Sequence, residues 1–327
     1  MLPFPVCCRQ IAVCILLGAL VLQPVRAVIL LGTADPAANT TAPSGIYADS
    51  GWQFLGEYGG SLGTMIAPRY FITARHTGLQ GGGILSSAEL NGVSDVTYTI
   101  DTAANGGVGY WDIAGTDLRI LKINEAFPGY VSLYTGVTPV GAPAIVFGRG
   151  GQRGAEVELS GTAKGWLHTA ADGVVRWGTN TVAGAVSTAS GQMLSLAFDA
   201  AGGANEATLS SGDSGGGLFV LDDGQWKLAG INFGVDGLFD LNNVVDSNEF
   251  GAALFDMGGL YLGSDSQGWN LVPDGGVDVP SHFYASNISA SAAVIHSIVG
   301  VPEPGSLPLL LIAAALSLLR HHRNSLF

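Results

Sequence analysis

The chain has 327 residues, of which 49 are glycine, 47% are hydrophobic and only 12% are charged. That length suffices for one large domain or two small ones with a real core, and six Trp, thirteen Phe and nine Tyr exclude a disordered polymer. The net charge of −13 gives a surface that repels nucleic acid and anionic lipid, so neither is an expected partner.

The first residues read as an address. Arg9 supplies a short positive region, residues 11–22 are apolar, and Val25 and Ala27 suit the positions before a signal-peptidase cut. Residues 1–27 are therefore expected to be a secretory signal, with an uncleaved anchor helix as the alternative. Cys7, Cys8 and Cys14 all fall inside it, which leaves a mature chain with no disulfide and no thiol chemistry.

From residue 28 to about 300, short apolar runs alternate with clusters of Gly, Asn, Asp, Ser and Pro. This texture predicts an all-β domain with strands at 63–74, 95–101, 117–123, 144–148, 155–163, 191–198, 216–221 and 227–233. Proline and glycine gather between Phe127 and Pro143, which suits a crossing between two β units. One helix is predicted over 284–298, capped by Ser286 or Asn287, with Ile288, Ala292 and Ile295 near one face. After Val301-Pro302-Glu303-Pro304 come the apolar residues 307–319 and then Arg320-His321-His322-Arg323. The apolar run is short of the roughly 20 residues a spanning helix needs. A basic end can still halt transfer with that end inside the cell. The three parts in this order resemble the PEP-CTERM sorting signal of Gram-negative bacteria. That resemblance implies secretion across the inner membrane, transient contact with it, an exosortase-type processing enzyme as partner, and a destination at the cell surface or beyond. A plain C-terminal anchor is the alternative.

The stretch Ser210-Ser211-Gly212-Asp213-Ser214-Gly215-Gly216-Gly217 carries the chemistry. A nucleophilic serine needs a tight turn that presents its hydroxyl, and backbone N–H groups aimed at the developing oxyanion. Glycines on both sides permit the backbone angles and the close approach of a substrate. Upstream, Gly63-Thr64-Met65-Ile66-Ala67-Pro68-Arg69-Tyr70-Phe71-Ile72-Thr73-Ala74-Arg75-His76 reads as strand, turn, strand and histidine. Between the two lies Asp117-Leu118-Arg119-Ile120-Leu121-Lys122-Ile123, an acid followed by an apolar–basic strand; Asp112-Ile113-Ala114 competes with it for the acid.

These three segments resemble, in order and register, the histidine, aspartate and serine motifs of the trypsin/chymotrypsin serine proteases. Gly-Asp-Ser-Gly-Gly matches residue for residue. Arg75 and Thr77 depart from the family's Thr-Ala-Ala-His-Cys, the latter in keeping with a chain lacking disulfides. The resemblance implies two six-stranded antiparallel β-barrels, at about 45–135 and 136–283, followed by the C-terminal helix, with the active site between the barrels. It implies a serine endopeptidase with protein or peptide substrates and no cofactor or metal. His76 would be the general base, Asp117 its orienting partner and Ser214 the nucleophile, with the Gly212 and Ser214 N–H groups as oxyanion hole. Thr208 would floor the specificity pocket without an acid there, and Asn232, Phe233 and Gly234 would pair with the substrate backbone. In the trypsin group Asp213 pairs with a new N-terminus, and a cut after Ala27 would expose Val28-Ile29-Leu30-Leu31-Gly32. The rival expectation is a catalytically silent protease-fold module that binds at the cell surface or in matrix. Asp240, Asp246 and Glu249 offer oxygens to calcium, but their spacing favours a solvated turn. No partner is visible for His168, His282 or His296.

Overall fold

The computed structural model describes residues 28–80, 84–87 and 96–300. The expected N-terminal signal and C-terminal sorting segment lie outside the described residues.

The first unit grows from hairpins in which alternate side chains are apolar. Leu55–Tyr58, Ser61–Ala67, Tyr70–Ala74 and Leu118–Lys122 lie side by side, with Ile84–Ser87 and Thr97–Thr99 continuing one edge and Tyr110–Asp112 the other. The ladder is drawn into a ring by an antiparallel bridge between Ile100 and Ile123. Asp101 N–H donates to Lys122 O at 2.8 Å and Asn124 N–H to Thr99 O at 2.9 Å across the same seam. Six strands thus close, and Tyr110–Asp112 is a seventh hung on the outside. Inside the ring Tyr58, Met65, Phe71, Leu85, Tyr98, Leu121 and Phe127 are buried together.

The second unit is a closed barrel in the order Arg176–Thr188, Gly191–Ala197, His282–Asn287, Gln225–Val235, Gly217–Asp222 and Pro143–Gly148. Closure leaves no unpaired strand edge within the barrel. Its interior is filled by residues such as Val146, Leu194, Leu196, Leu218 and Phe283. The proline- and glycine-rich link spans the gap: Val131 N–H donates to Met65 O of the first unit and Tyr134 N–H to Leu228 O of the second. A third apolar cluster, including Leu62, Ile72, Leu118, Phe147, Phe219 and Ile231, joins the two units. Phe147 and Phe219 meet edge to face at 5.5 Å. Burying each such side chain contributes about 1.5–3 kcal/mol, so the cleft between the units has a stiff floor. The protein is all-β with two barrels and a C-terminal helix.

Several boundaries differ from the sequence expectation. A single strand over 155–163 is replaced by a hairpin of Arg153–Leu159 and Thr162–His168, turning at Ser160 and Gly161, both with positive φ. The strand Arg176–Thr188, 13 residues long, was not anticipated, because its Asn, Thr and Gly residues mask the alternation. The helix is Ala292–Val299 rather than 284–298. Residues His282–Asn287 instead complete the second barrel, where Phe283 and Ala285 face the core. Neither Ser286 nor Asn287 caps the helix, which starts after Ser291 with no side-chain cap, and Asn287 Oδ1 instead accepts from Ser289 N–H at 3.0 Å in the short turn before it.

Residues between Val235 and His282 form an added layer. Leu238–Asp240, Tyr261–Ser264 and Gly268–Leu271 make one small sheet, and Ala252–Leu254 extends the 153–168 hairpin into another.

Candidate active site

The strand Tyr70–Ala74 runs antiparallel to Leu118–Lys122, with Ala74 opposite Leu118. That register places Asp117, one residue before its strand, beside the turn Arg75–Thr77 that follows the other. Arg75 N–H donates to Asp117 O at 2.7 Å. His76 N–H donates to Asp117 Oδ1 at 2.9 Å, and Asp117 Oδ2 lies 2.6 Å from His76 Nδ1. The carboxylate is nearly enclosed, while the imidazole side chain is 38% exposed. The phenyl ring of Phe233 meets the imidazole edge to face at 5.5 Å and fixes its plane. Thr77, where the resemblance wants cysteine, closes the turn non-covalently by donating from Oγ1 to Ala74 O.

Asp112 is engaged elsewhere. Arg119 grips it through Nε at 2.6 Å and Nη2 at 2.9 Å, and Arg75 adds a contact at 3.5 Å. The acid beside His76 is Asp117.

Ser214 Oγ lies 2.7 Å from His76 Nε2, so the two barrels bring together three side chains separated by 41 and 97 residues in sequence. The turn that carries Ser214 is possible because Gly212 has φ +100°, where a Cβ would be strained. Among the described residues, the N–H groups of Gly212 and Ser214 have no acceptor, and their position on the nucleophile's own turn suits them to a developing oxyanion. Behind the turn, Ser61 Oγ donates to Ser214 O. Asn232 is fully buried and acts as a brace: its N–H donates to Gly216 O, its C=O accepts from Gly215 N–H, and Nδ2 donates to Phe147 O and Asp213 O. Phe233 is the bulged residue of that strand and, with Gly234, is half-buried at the cleft. Thr208 is buried in the strand Ala207–Thr208, opposite Ile29.

Asp213 is buried beneath the nucleophile. Its carboxylate accepts from Gly150 N–H at 2.7 Å, Ser210 N–H at 2.7 Å and Ser210 Oγ at 3.1 Å, and the backbone N–H of Val28 is near enough to favour its ionised form. Burial pushes its carboxyl up to about 6 against these donors. Neither Gly150 nor Ser210 stood out in the sequence as a partner. The only signal for Val28 was its place after the expected cut.

A Cβ on Gly148 would fall 2.0 Å from Asp213 Oδ1. Gly148→Ala should displace Asp213 and with it the turn of Ser214, since an error near 1 Å at a reacting group costs about 10²-fold in rate. Measured by the rate of covalent modification of Ser214, an unchanged rate in a folded variant would contradict this placement of Asp213.

Asp240 is buried and accepts from Asn242 N–H, Asp246 accepts from Asn248 N–H, and Glu249 accepts from Asp265 N–H. Asp240 and Asp246 cap local turns while Glu249 ties its loop to Asp265, 16 residues on, and no group of three or more metal-binding side chains occurs among the described residues. His168 is half-buried next to Gly251, and desolvation of its ring pushes it down to about 4. His282 does have a partner: its Nδ1 lies 3.7 Å from Asp236 Oδ2, which draws its pKa upward.

Residues 45–243 match the Trypsin family model, a stretch that includes His76, Asp117, Ser214 and the braces around them. No curated protein matches the chain. With more than half its length matched, a two-barrel fold and a serine–histidine–aspartate contact in the cleft, the chain belongs to the trypsin family of serine peptidases.

Proposed function

We propose that this protein is a secreted serine endopeptidase whose triad is His76, Asp117 and Ser214. The observation that carries the reading is the continuous contact Asp117 Oδ2–His76 Nδ1 and His76 Nε2–Ser214 Oγ, at 2.6 and 2.7 Å. A substrate lies along Phe233 and Gly234. Ser214 Oγ attacks the scissile carbonyl while His76 Nε2 takes its proton. The tetrahedral oxyanion points at the Gly212 and Ser214 N–H groups, and Asp117 stabilises the imidazolium. His76 then hands the proton to the leaving amine, which departs and leaves an acyl group on Ser214. Water, deprotonated by the same nitrogen, releases the acid and restores the enzyme. Thr208 brings no charge to the specificity pocket, so this reading has small or apolar side chains, rather than Arg or Lys, before the cut.

Export removes residues 1–27, and the C-terminal segment is handed to an exosortase-type enzyme at the inner membrane. Cleavage after Ala27 converts the Val28 nitrogen, already directed at Asp213, into an ammonium next to a buried carboxylate. Retaining even two extra residues before Val28 is expected to slow acylation by about 10-fold or more, as the buried nitrogen would lose its charge. N-terminal sequencing of the secreted protein, paired with acylation rates of both forms, checks this.

The deciding experiment treats the purified secreted protein with a fluorophosphonate and maps the adduct by peptide mass spectrometry. Modification of Ser214 alone, absent in Ser214→Ala, is the expected result. A folded protein that takes no label would replace this reading with that of a silent binding module.

A further inference from the structure

The segment that delivers Val28 to Asp213 is held by parts of the chain that have no role in the triad. Ile29 and Leu30 pair with Thr208 and Ala207, and Leu31 N–H donates to Glu206 O at 2.8 Å. One face of residues 28–31 thus lies along the strand that leads into the nucleophile turn. On the other side Ile29 is fully buried against Phe198 and Ala253, with Leu31, Trp166 and Phe255 around them. Trp166 stands edge to face with Phe198 at 6.2 Å and with Phe255 at 5.5 Å. Arg153 closes the end: its guanidinium covers the Trp166 ring at 4.2 Å and donates from Nη1 to Leu31 O at 2.9 Å. Ala253 lies opposite Trp166 in the sheet that the strand Ala252–Leu254 shares with the 153–168 hairpin. That strand is beyond residue 243, where the family match stops. The described residues contain no cysteine, so nothing covalent ties residues 28–31 in place.

We infer that the 153–168 hairpin and the strand Ala252–Leu254 form a clamp that holds residues 28–31 against Glu206–Thr208 and keeps Asp213 engaged, which makes Arg153 and Trp166 positioning residues for the Ser214 turn. The inference rests on the reading of Ser214 as the nucleophile. The physical argument is one of entropy and distance. Four residues near a chain end have little local structure of their own, and fixing each costs about 1–2 kcal/mol. The paired strand supplies two residues and the second barrel's core buries Val28 and Leu30, and the buried face on Ile29 with the Arg153 bond to Leu31 completes the hold on the other side. If they are removed, residues 28–31 open locally while both barrels stay closed, because none of the clamp residues belongs to the cluster that joins the barrels.

The test compares the secreted protein with Arg153→Ala, Trp166→Ala and Arg153→Lys by hydrogen exchange, alongside fluorophosphonate labelling of each. In Arg153→Ala and Trp166→Ala, exchange should rise about 10-fold or more in residues 28–31 and 206–214 only. Labelling should slow about 10-fold or more. Arg153→Lys, which keeps a cation over the ring and a donor for Leu31 O, should recover part of both. Adding Asp213→Asn to Arg153→Ala should slow labelling no further than Asp213→Asn alone, since both act through one contact. Unchanged exchange in residues 28–31 overturns the clamp, as does a uniform rise across both barrels. A local rise with labelling unaltered overturns the positioning role. If the wild type takes no label yet the exchange changes are local, the clamp stands and the catalytic reading fails.

Discussion

Asp117→Asn should lower the rate of Ser214 acylation by about 10⁴-fold, the size of the loss in the family's best-known triad, while leaving the fold intact. The reason lies in the hydrogen-bond direction. Asp117 Oδ2 faces His76 Nδ1 at 2.6 Å and can only accept, so the proton sits on Nδ1 and Nε2 is free to take the serine proton. An asparagine amide can donate to Nδ1 instead and move the imidazole proton to Nε2, where it blocks the base. Asp112→Asn serves as the comparison. It breaks a bidentate contact with Arg119 on the outside of the first barrel, and acylation should change by less than about 10-fold. Stopped-time labelling with a fluorophosphonate across pH 6–9 separates the two. Equal losses in both variants would sink the assignment of Asp117.

Glu206→Gln should raise stability at pH 8.5 and leave it nearly unaltered at pH 4.5. Glu206 is buried, and desolvation pushes its carboxyl up to about 8 from 4.5. Asn180 Nδ2 donates to Oε1 at 2.9 Å and Asp199 N–H at 3.3 Å, but no cation faces it in these contacts. The folded pKa is above the unfolded one, so the native state holds the proton more tightly. The stabilisation from that proton is complete below about pH 4.5 and is lost as pH rises through about 8. Across that window the loss is of the order of 4 kcal/mol for the wild type. A glutamine keeps the acceptor for Asn180 and has no proton to lose. Thermal melts of both proteins at the two pH values check this; a difference of the same size at both would show that the carboxyl is not protonated in the fold.

Glu206 also shows where sequence reading runs out. In the sequence it is one acid two residues before Thr208, with nothing local to mark it. Its neighbours Asn180 and Ala207 come from a strand not anticipated and from the approach to the nucleophile. The same limit governed the choice between Asp112 and Asp117. Both stand before apolar residues, and the apolar–basic strand that follows Asp117 favours it without excluding Asp112. The antiparallel register of Tyr70–Ala74 on Leu118–Lys122 separates them, because it sets one acid beside the histidine turn and gives the other to Arg119.

By itself the sequence determined the strand-rich class, the nucleophile turn and the histidine that follows its strand. Those signals are local: glycines where φ must be positive, apolar residues at period two, and a serine between them. It could also mark Val28 as a possible partner for Asp213, from the position of the expected cut. The strand after Asp117 favoured it as the acid for His76, and only the tertiary structure decided what holds Asp112, how Asn232 braces the serine turn, and where residues 282–287 belong. It alone showed that a hairpin and a late strand cover Ile29 and Leu31. Each of these depends on pairings between segments far apart in the chain, and a periodic pattern states which face is buried but never against what.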